Sequence, residues 1–158
     1  MAQDAKVSQV SELTAYAGKM QGFMESVSRN CTALNNLIVQ KLDGLRRKLK
    51  KAEQMETEAV AEYNALIDAM AKTANDDVQG RRALLAKKGY LENRKNKAKM
   101  MREHVAAQVN VAQGATNAII DATKSFQNKV KGNVDRGRQL LKKSVAQLDQ
   151  YNETKKKI

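Results

Sequence analysis

Residues 52–102 read AEQMETEAVAEYNALIDAMAKTANDDVQGRRALLAKKGYLENRKNKAKMMR. Two stretches of opposite charge stand back to back here. Between 52 and 79, Glu53, Glu56, Glu58, Glu62, Asp68, Asp76 and Asp77 are opposed only by Lys72. From 80 to 102, Arg81, Arg82, Lys87, Lys88, Arg94, Lys95, Lys97, Lys99 and Arg102 are opposed only by Glu92. Where they meet, Thr73, Asn75, Asp76 and Asp77 cluster, the residue types that turn a chain, and Asp76 or Asp77 can cap the next helix. An acidic helix, a turn and a basic helix predict a hairpin with antiparallel arms. Pairing centred on residue 76 sets Glu53 near Lys99, Glu58 near Arg94, Glu62 near Lys88 or Arg94, and Asp68 near Arg82. Exposed pairs contribute only ~0.2–1 kcal/mol each, so they choose register more than they stabilise.

The asymmetry extends outward. Residues 1–79 hold 10 Lys/Arg against 11 Asp/Glu, whereas residues 80–158 hold 19 against 6. The chain has no proline and no tryptophan, and aromatics make up 4% of it. Loops use proline to preset φ, so its absence suits a few long helices with few turns. Without large aromatics, Ala, Val, Leu and Met must form the core, which is then a thin seam between helices.

That seam is legible. Val10, Leu13, Ala17, Met20, Met24, Val27, Cys31, Leu34 and Ile38 alternate steps of three and four, a heptad stripe. The step from Ile38 to Leu42 is a second four in a row, a stutter. The stripe resumes through Leu45, Leu49, Ala52, the polar Glu56, Ala59, Tyr63, Leu66 and Met70. Leu34 to Met70 is the predicted packing core. Met20, Phe23 and Met24 are expected in the core, and Cys31 is expected as a buried thiol. In the second half Leu84, Leu91, Ala98, Val105, Ala112, Ile119 and Phe126 recur every seven residues. Their companion seam position is Arg81, Lys88, Lys95 and Arg102, then Val109, Thr116, Thr123 and Val130. Gly132 and Gly137 weaken the helix around 132–137, and Gly114 marks another weak place.

The expected fold is all-α: an elongated antiparallel helical hairpin, or a helical bundle, with coiled-coil-like packing. As one domain it has a first arm at about 8–72, a turn at about 73–79, a second arm at about 80–150 and a frayed basic tail at 152–158. A compact four-helix bundle would instead break near 28–32, 74–78 and 112–116.

Chemical motifs are sparse. His104 is the one histidine, expected on a helix surface, and no Cys–His or Glu-x-x-His arrangement exists. No phosphate-binding glycine loop occurs. No enzyme activity, metal, cofactor or small-molecule substrate is expected. No run approaches the ~20 apolar residues that span a bilayer, and Met1–Val10 has no apolar signal core. A cytoplasmic location follows as the expectation. The tail Lys155–Ile158 is expected to be solvated.

Basic blocks remain. Besides 81–102 there are Lys41, Arg46, Arg47, Lys48, Lys50 and Lys51, and then Lys129, Lys131, Arg136, Arg138, Lys142 and Lys143. A net charge of +12 attracts polyanions. Two classes of partner fit. One is a helical protein, or a second copy, bound through the seams and basic faces. There Arg81, Lys88, Lys95 and Arg102 set register or meet an acidic partner. The other is a polyanion, nucleic acid or an anionic membrane surface, held by the 129–143 block.

The opening Val10-Ser11-Glu12-Leu13-Thr14-Ala15-Tyr16-Ala17-Gly18-Lys19-Met20 through Val27, followed by Lys41-Leu42-Asp43-Gly44-Leu45-Arg46-Arg47-Lys48-Leu49-Lys50-Lys51-Ala52-Glu53, resembles small helical proteins of the WXG100 kind and their longer coiled-coil companions. The resemblance covers residues 10–70. It implies a helical hairpin that serves bacterial type VII-like secretion, with export independent of a signal peptide. The chain has no Trp-x-Gly turn, and Lys155 stands where a Tyr-x-x-x-Asp/Glu signal starting at Tyr151 would need an acid. The version implied is therefore a partner, chaperone or structural subunit. No functional residue carries over.

Overall fold

The computed structural model is an all-α helical hairpin of two helices, α1 (Ala2–Lys72) and α2 (Val78–Lys156). It describes the backbone of residues 2–158 and the side chains of residues 11–158. Val10, the first member of the predicted stripe, lies outside the described side chains. Both helices run unbroken through 28–32 and 112–116, so the four-helix alternative lacks two of its three breaks. Helix α2 also passes through Gly132 and Gly137 without interruption and continues along the lysine tail to Lys156, where a frayed end was the expectation. Lys129, Lys131, Arg136, Arg138, Gln139 and Leu140 are good helix formers, and burial of Val130 and Val134 in the seam helps to offset the glycines' cost of ~1 kcal/mol each.

The linker is built by Asp77. Its carboxylate accepts the backbone N–H of Gly80 at 2.9 Å, and its carbonyl accepts the N–H of Arg81 at 3.1 Å. This is an N-cap, which satisfies one of the orphan donors of the first turn. A Cβ on Gly80 would collide with the Asp77 carboxylate, so glycine lets the cap close. The Arg81 guanidinium donates to the Asn75 side chain.

Contacts group the chain into two compact units, residues 38–117 and residues 1–37 with 118–158. The first unit is the hairpin around the linker. Leu42, Ala52, Ala59, Leu66, Leu91, Ala98 and the polar Thr116 are its buried side chains, with Ala59 only 1% exposed. Opposed residues have numbers that sum to between 156 and 159 (56 with 102, 62 with 94, 63 with 95, 46 with 113). Pairing about residue 76 would give 152. The linker runs on past the end of α1, and the first two turns of α2 bring the chain back. The predicted Glu53–Lys99, Glu58–Arg94, Glu62–Lys88 and Asp68–Arg82 pairs are therefore out of register, while Glu62–Arg94 forms at 2.5 Å.

The second unit keeps the same offset: Met20 meets the Cα side of Gly137, and Thr123 meets Asn35. Cys31, Val130 and Val134 are buried, with Thr123 beside them. Here two seam positions differ from the expected heptads. Leu34 is 44% exposed and Asn35 is half-buried in its place. Phe126 is 51% exposed and Gln127 is half-buried in its place. The stutter in α1 thus falls at 27–31–35, earlier than the Ile38–Leu42 step, and α2 has its own at 112–116–120. Phe23, expected in the core with Met20 and Met24, is 59% exposed.

Candidate interaction surfaces

Two seam cations of unit 38–117, Arg102 and Lys95, find partners inside it. Arg102 is half-buried and its Nε donates to the Glu56 carboxylate, with the adjacent Glu103 at 3.6 Å. Lys95 lies over the Tyr63 ring at 4.0 Å from its centroid, a cation–π contact. Lys88 is half-buried in the seam and Arg81 is exposed at the linker. Lys88, Lys95 and Arg102 take seam positions of α2, whereas Arg81 is spent on Asn75. The polar interruption at Glu56 finds its partner here, which the sequence pairing did not anticipate.

The helical spacing also fixes the flanks of this hairpin. Arg46 donates to Gln113 on one side, and Glu62 pairs with Arg94 on the other. Residues that follow Leu45 or Ala112 therefore share one flank. Residues that precede Tyr63 or Lys95 share the other.

In the second unit the polar seam residues are neutral. Thr123 Oγ donates to Asn35 Oδ1 at 3.1 Å, and the seam around them includes Ala17, Met20, Met24, Val27, Cys31, Gln127, Val130, Val134 and Leu141. Its cations lie outside the seam. Lys129, Lys131, Lys142 and Lys143 are exposed and Arg138 is half-buried. Arg136, also exposed, donates to its neighbour Asn133. None of these six enters an ion pair with a described residue; the described pairs are Arg46–Asp43, Arg94–Glu62, Arg102–Glu56 and Arg102–Glu103.

Two grooves open on one flank of this unit. In the first, Leu13, Ala17, Leu141 and Val145 form an apolar floor, with Arg138 and Lys142 at the rim and Asp149 at one end. In the second, Met24, Val27 and Ser28 face Gln127, Val130 and Lys131. The block 129–143 thus splits. Lys131, Arg138 and Lys142 border the grooves, while Lys129, Arg136 and Lys143 recur every seven residues on another face of α2.

Other features are plain. Gly18 and Gly22 have nothing packed against them. Cys31 is a buried free thiol. His104 is exposed beside Gln108. No group of three or more His, Cys, Asp or Glu gathers among the described residues. No described helix is long and apolar enough to cross a membrane. Compared with known protein families, curated proteins and solved structures, the chain matches none.

Proposed function

We propose that the chain is a non-enzymatic helical interaction protein that seats an acidic amphipathic helix of a partner protein in the groove bordered by Arg138 and Lys142. One contrast supports this. Arg102 and Lys95 of the seam are engaged within the hairpin, whereas Lys131, Arg138 and Lys142 enter no ion pair with a described residue, although Glu25 and Asp149 also line the grooves. A groove with an apolar floor and a charged rim suits helix-in-groove recognition, in which apolar anchors every three or four residues fill the floor. Register-setting then belongs to Arg102 and Lys95, and partner contact to Lys131, Arg138 and Lys142. The likeness of residues 10–70 to companions of type VII-like secretion names one kind of assembly in which such a partner, chaperone client or fellow subunit would be sought.

The test places photo-crosslinkers at Lys131 and Lys142 in native cells. The expected result is an adduct with a protein whose contact segment is helical and acidic, lost in the Lys131→Glu, Arg138→Glu, Lys142→Glu triple variant. An adduct that survives charge reversal overturns the assignment, and so does the absence of any adduct at both positions. An adduct between two copies replaces the foreign partner with self-association.

The unpaired Lys129, Arg136 and Lys143 favour a second reading, a polyanion-binding protein. Affinity for duplex DNA or RNA that falls steeply with salt and vanishes on charge reversal of those three residues supports it. No binding at low salt removes it.

A further inference from the structure

In the unit formed by 11–37 and 118–158, the grooves place Ser28 and Lys131 on one flank, each one residue after the seam positions Val27 and Val130. At 100° per residue, positions one before the seam residues Ala17, Met24, Asn35, Gln127 and Leu141 fall on the opposite flank. Those positions hold Tyr16, Phe23, Leu34, Phe126 and Leu140, and the same flank carries Asn30 before Cys31 and Asn133 before Val134. The five apolar side chains are 44–64% exposed. The equivalent positions in unit 38–117 precede Leu42, Leu49, Glu56, Tyr63, Lys88, Lys95 and Arg102. They hold the charged Lys41, Lys48, Glu62, Lys87 and Arg94, with the exposed Met55 and Met101 as the apolar exceptions. Scattered exposed apolar residues need no explanation, but five aligned on one flank do.

The row beside them is basic. Two residues after Gln127, Val134 and Leu141 stand Lys129, Arg136 and Lys143, and α1 contributes Lys19 along with Glu12. We infer that this flank is a docking face for an anionic lipid surface. Aromatic and leucine side chains insert at headgroup depth while Lys129, Arg136 and Lys143 reach lipid phosphates. Amphipathic faces with Phe or Leu beside Lys/Arg bind membranes by this division of labour. The two apolar-floored grooves open on the other flank, so a partner helix has its seat there; a shallow depression lined by Asp121, Lys124, Lys129 and Arg136 lies along α2 itself, and this flank offers a ridge of side chains that a fluid surface accepts. The inference rests on the polyanion reading for its cations and adds an apolar anchor to it.

The chain has no tryptophan, so single Trp reporters are clean. Phe23→Trp and Phe126→Trp are compared with Val111→Trp, an exposed position of the other unit. The probes are vesicles of phosphatidylglycerol and phosphatidylcholine with brominated chains, and vesicles of phosphatidylcholine alone. We expect quenching at 23 and 126 on the anionic vesicles, little at 111, and none on the neutral ones. The double variant Phe23→Ser, Phe126→Ser should weaken vesicle co-sedimentation by about tenfold or more, with helicity by circular dichroism unchanged. Equal quenching at all three positions overturns the inference. So does vesicle binding that needs Lys129, Arg136 and Lys143 but ignores the two phenylalanines, an outcome that leaves the polyanion reading standing. No binding to anionic vesicles at low salt overturns the inference, and it removes the polyanion reading only when nucleic acid also fails to bind.

Discussion

The two units share one register and use charge in opposite ways. In residues 38–117 the seam is polar at Glu56, Lys88, Lys95 and Arg102, and both Arg102 and Lys95 find partners across it. In the unit of 11–37 with 118–158 the seam is held by Val130, Val134, Cys31 and the Asn35–Thr123 hydrogen bond, and the cations sit outside. Charge inside a seam specifies which residues face each other, because a slip by one turn strands a half-buried ion. Charge outside a seam contributes little to folding and is available to something else. The same residue type therefore holds register near the linker and lies on the surface near the termini.

Truncating the seam breaks the comparison most strongly. Leu66 is 6% exposed, and Leu66→Ala should cost about 2–4 kcal/mol in urea unfolding, the range for buried leucines. Leu34→Ala, at a position the heptad spacing places in the seam but the structure leaves on the flank, should cost well under 1 kcal/mol. Equal losses would return Leu34 to the core and undo the shift to Asn35. The next effect is the buried charge. Arg102→Glu sets two carboxylates together in the seam and should destabilise by about 1–3 kcal/mol. A double-mutant cycle on Glu56 and Arg102 should return about 1 kcal/mol, reduced by salt, because both side chains keep partial contact with water. A coupling near zero would mean that this pair does not fix register.

The hairpin itself was legible because charge, turn residues and heptads agree between 52 and 102. The two misplaced seam residues have one cause. Spacing by seven continues on paper through Leu34 and Phe126, since both are large and apolar. Whether such a residue enters the seam depends on where each helix inserts a stutter, and Asn35 and Gln127 carry no apolar signal to mark the change. Register about residue 76 failed for a related reason. The turn residues show that the chain reverses, but not how far the linker overshoots before α2 starts at Val78. Tyr16 and Phe23, seven apart, were the visible hint of an apolar flank. Their meaning needed the second helix, which brings Phe126 and Leu140 to the same side.

Glycine substitutions give a smaller and sharper test. Gly89→Ala adds a methyl to an open helix surface and should stabilise by about 0.5–1 kcal/mol through propensity. Gly80→Ala makes the same chemical change, yet the new Cβ must displace the Asp77 cap. Loss of a cap costs ~1 kcal/mol, so the two terms cancel or the variant loses stability. A gain at Gly80 equal to that at Gly89 would show that the Asp77–Gly80 bond contributes nothing.

The smallest expected effect is the most useful for function. Lys131→Glu with Arg138→Glu reverses two cations that enter no ion pair with a described residue, and the neighbouring charges in α2, Asp135 apart, are themselves basic. Stability should change by less than about 0.5 kcal/mol, and relief of like-charge repulsion makes a slight gain as natural as a loss. Set against Arg102→Glu, this separates structural charge from available charge on one scale. If reversal at 131 and 138 proved as costly as at 102, those cations would belong to the fold, and the groove they border would lose its claim to a partner.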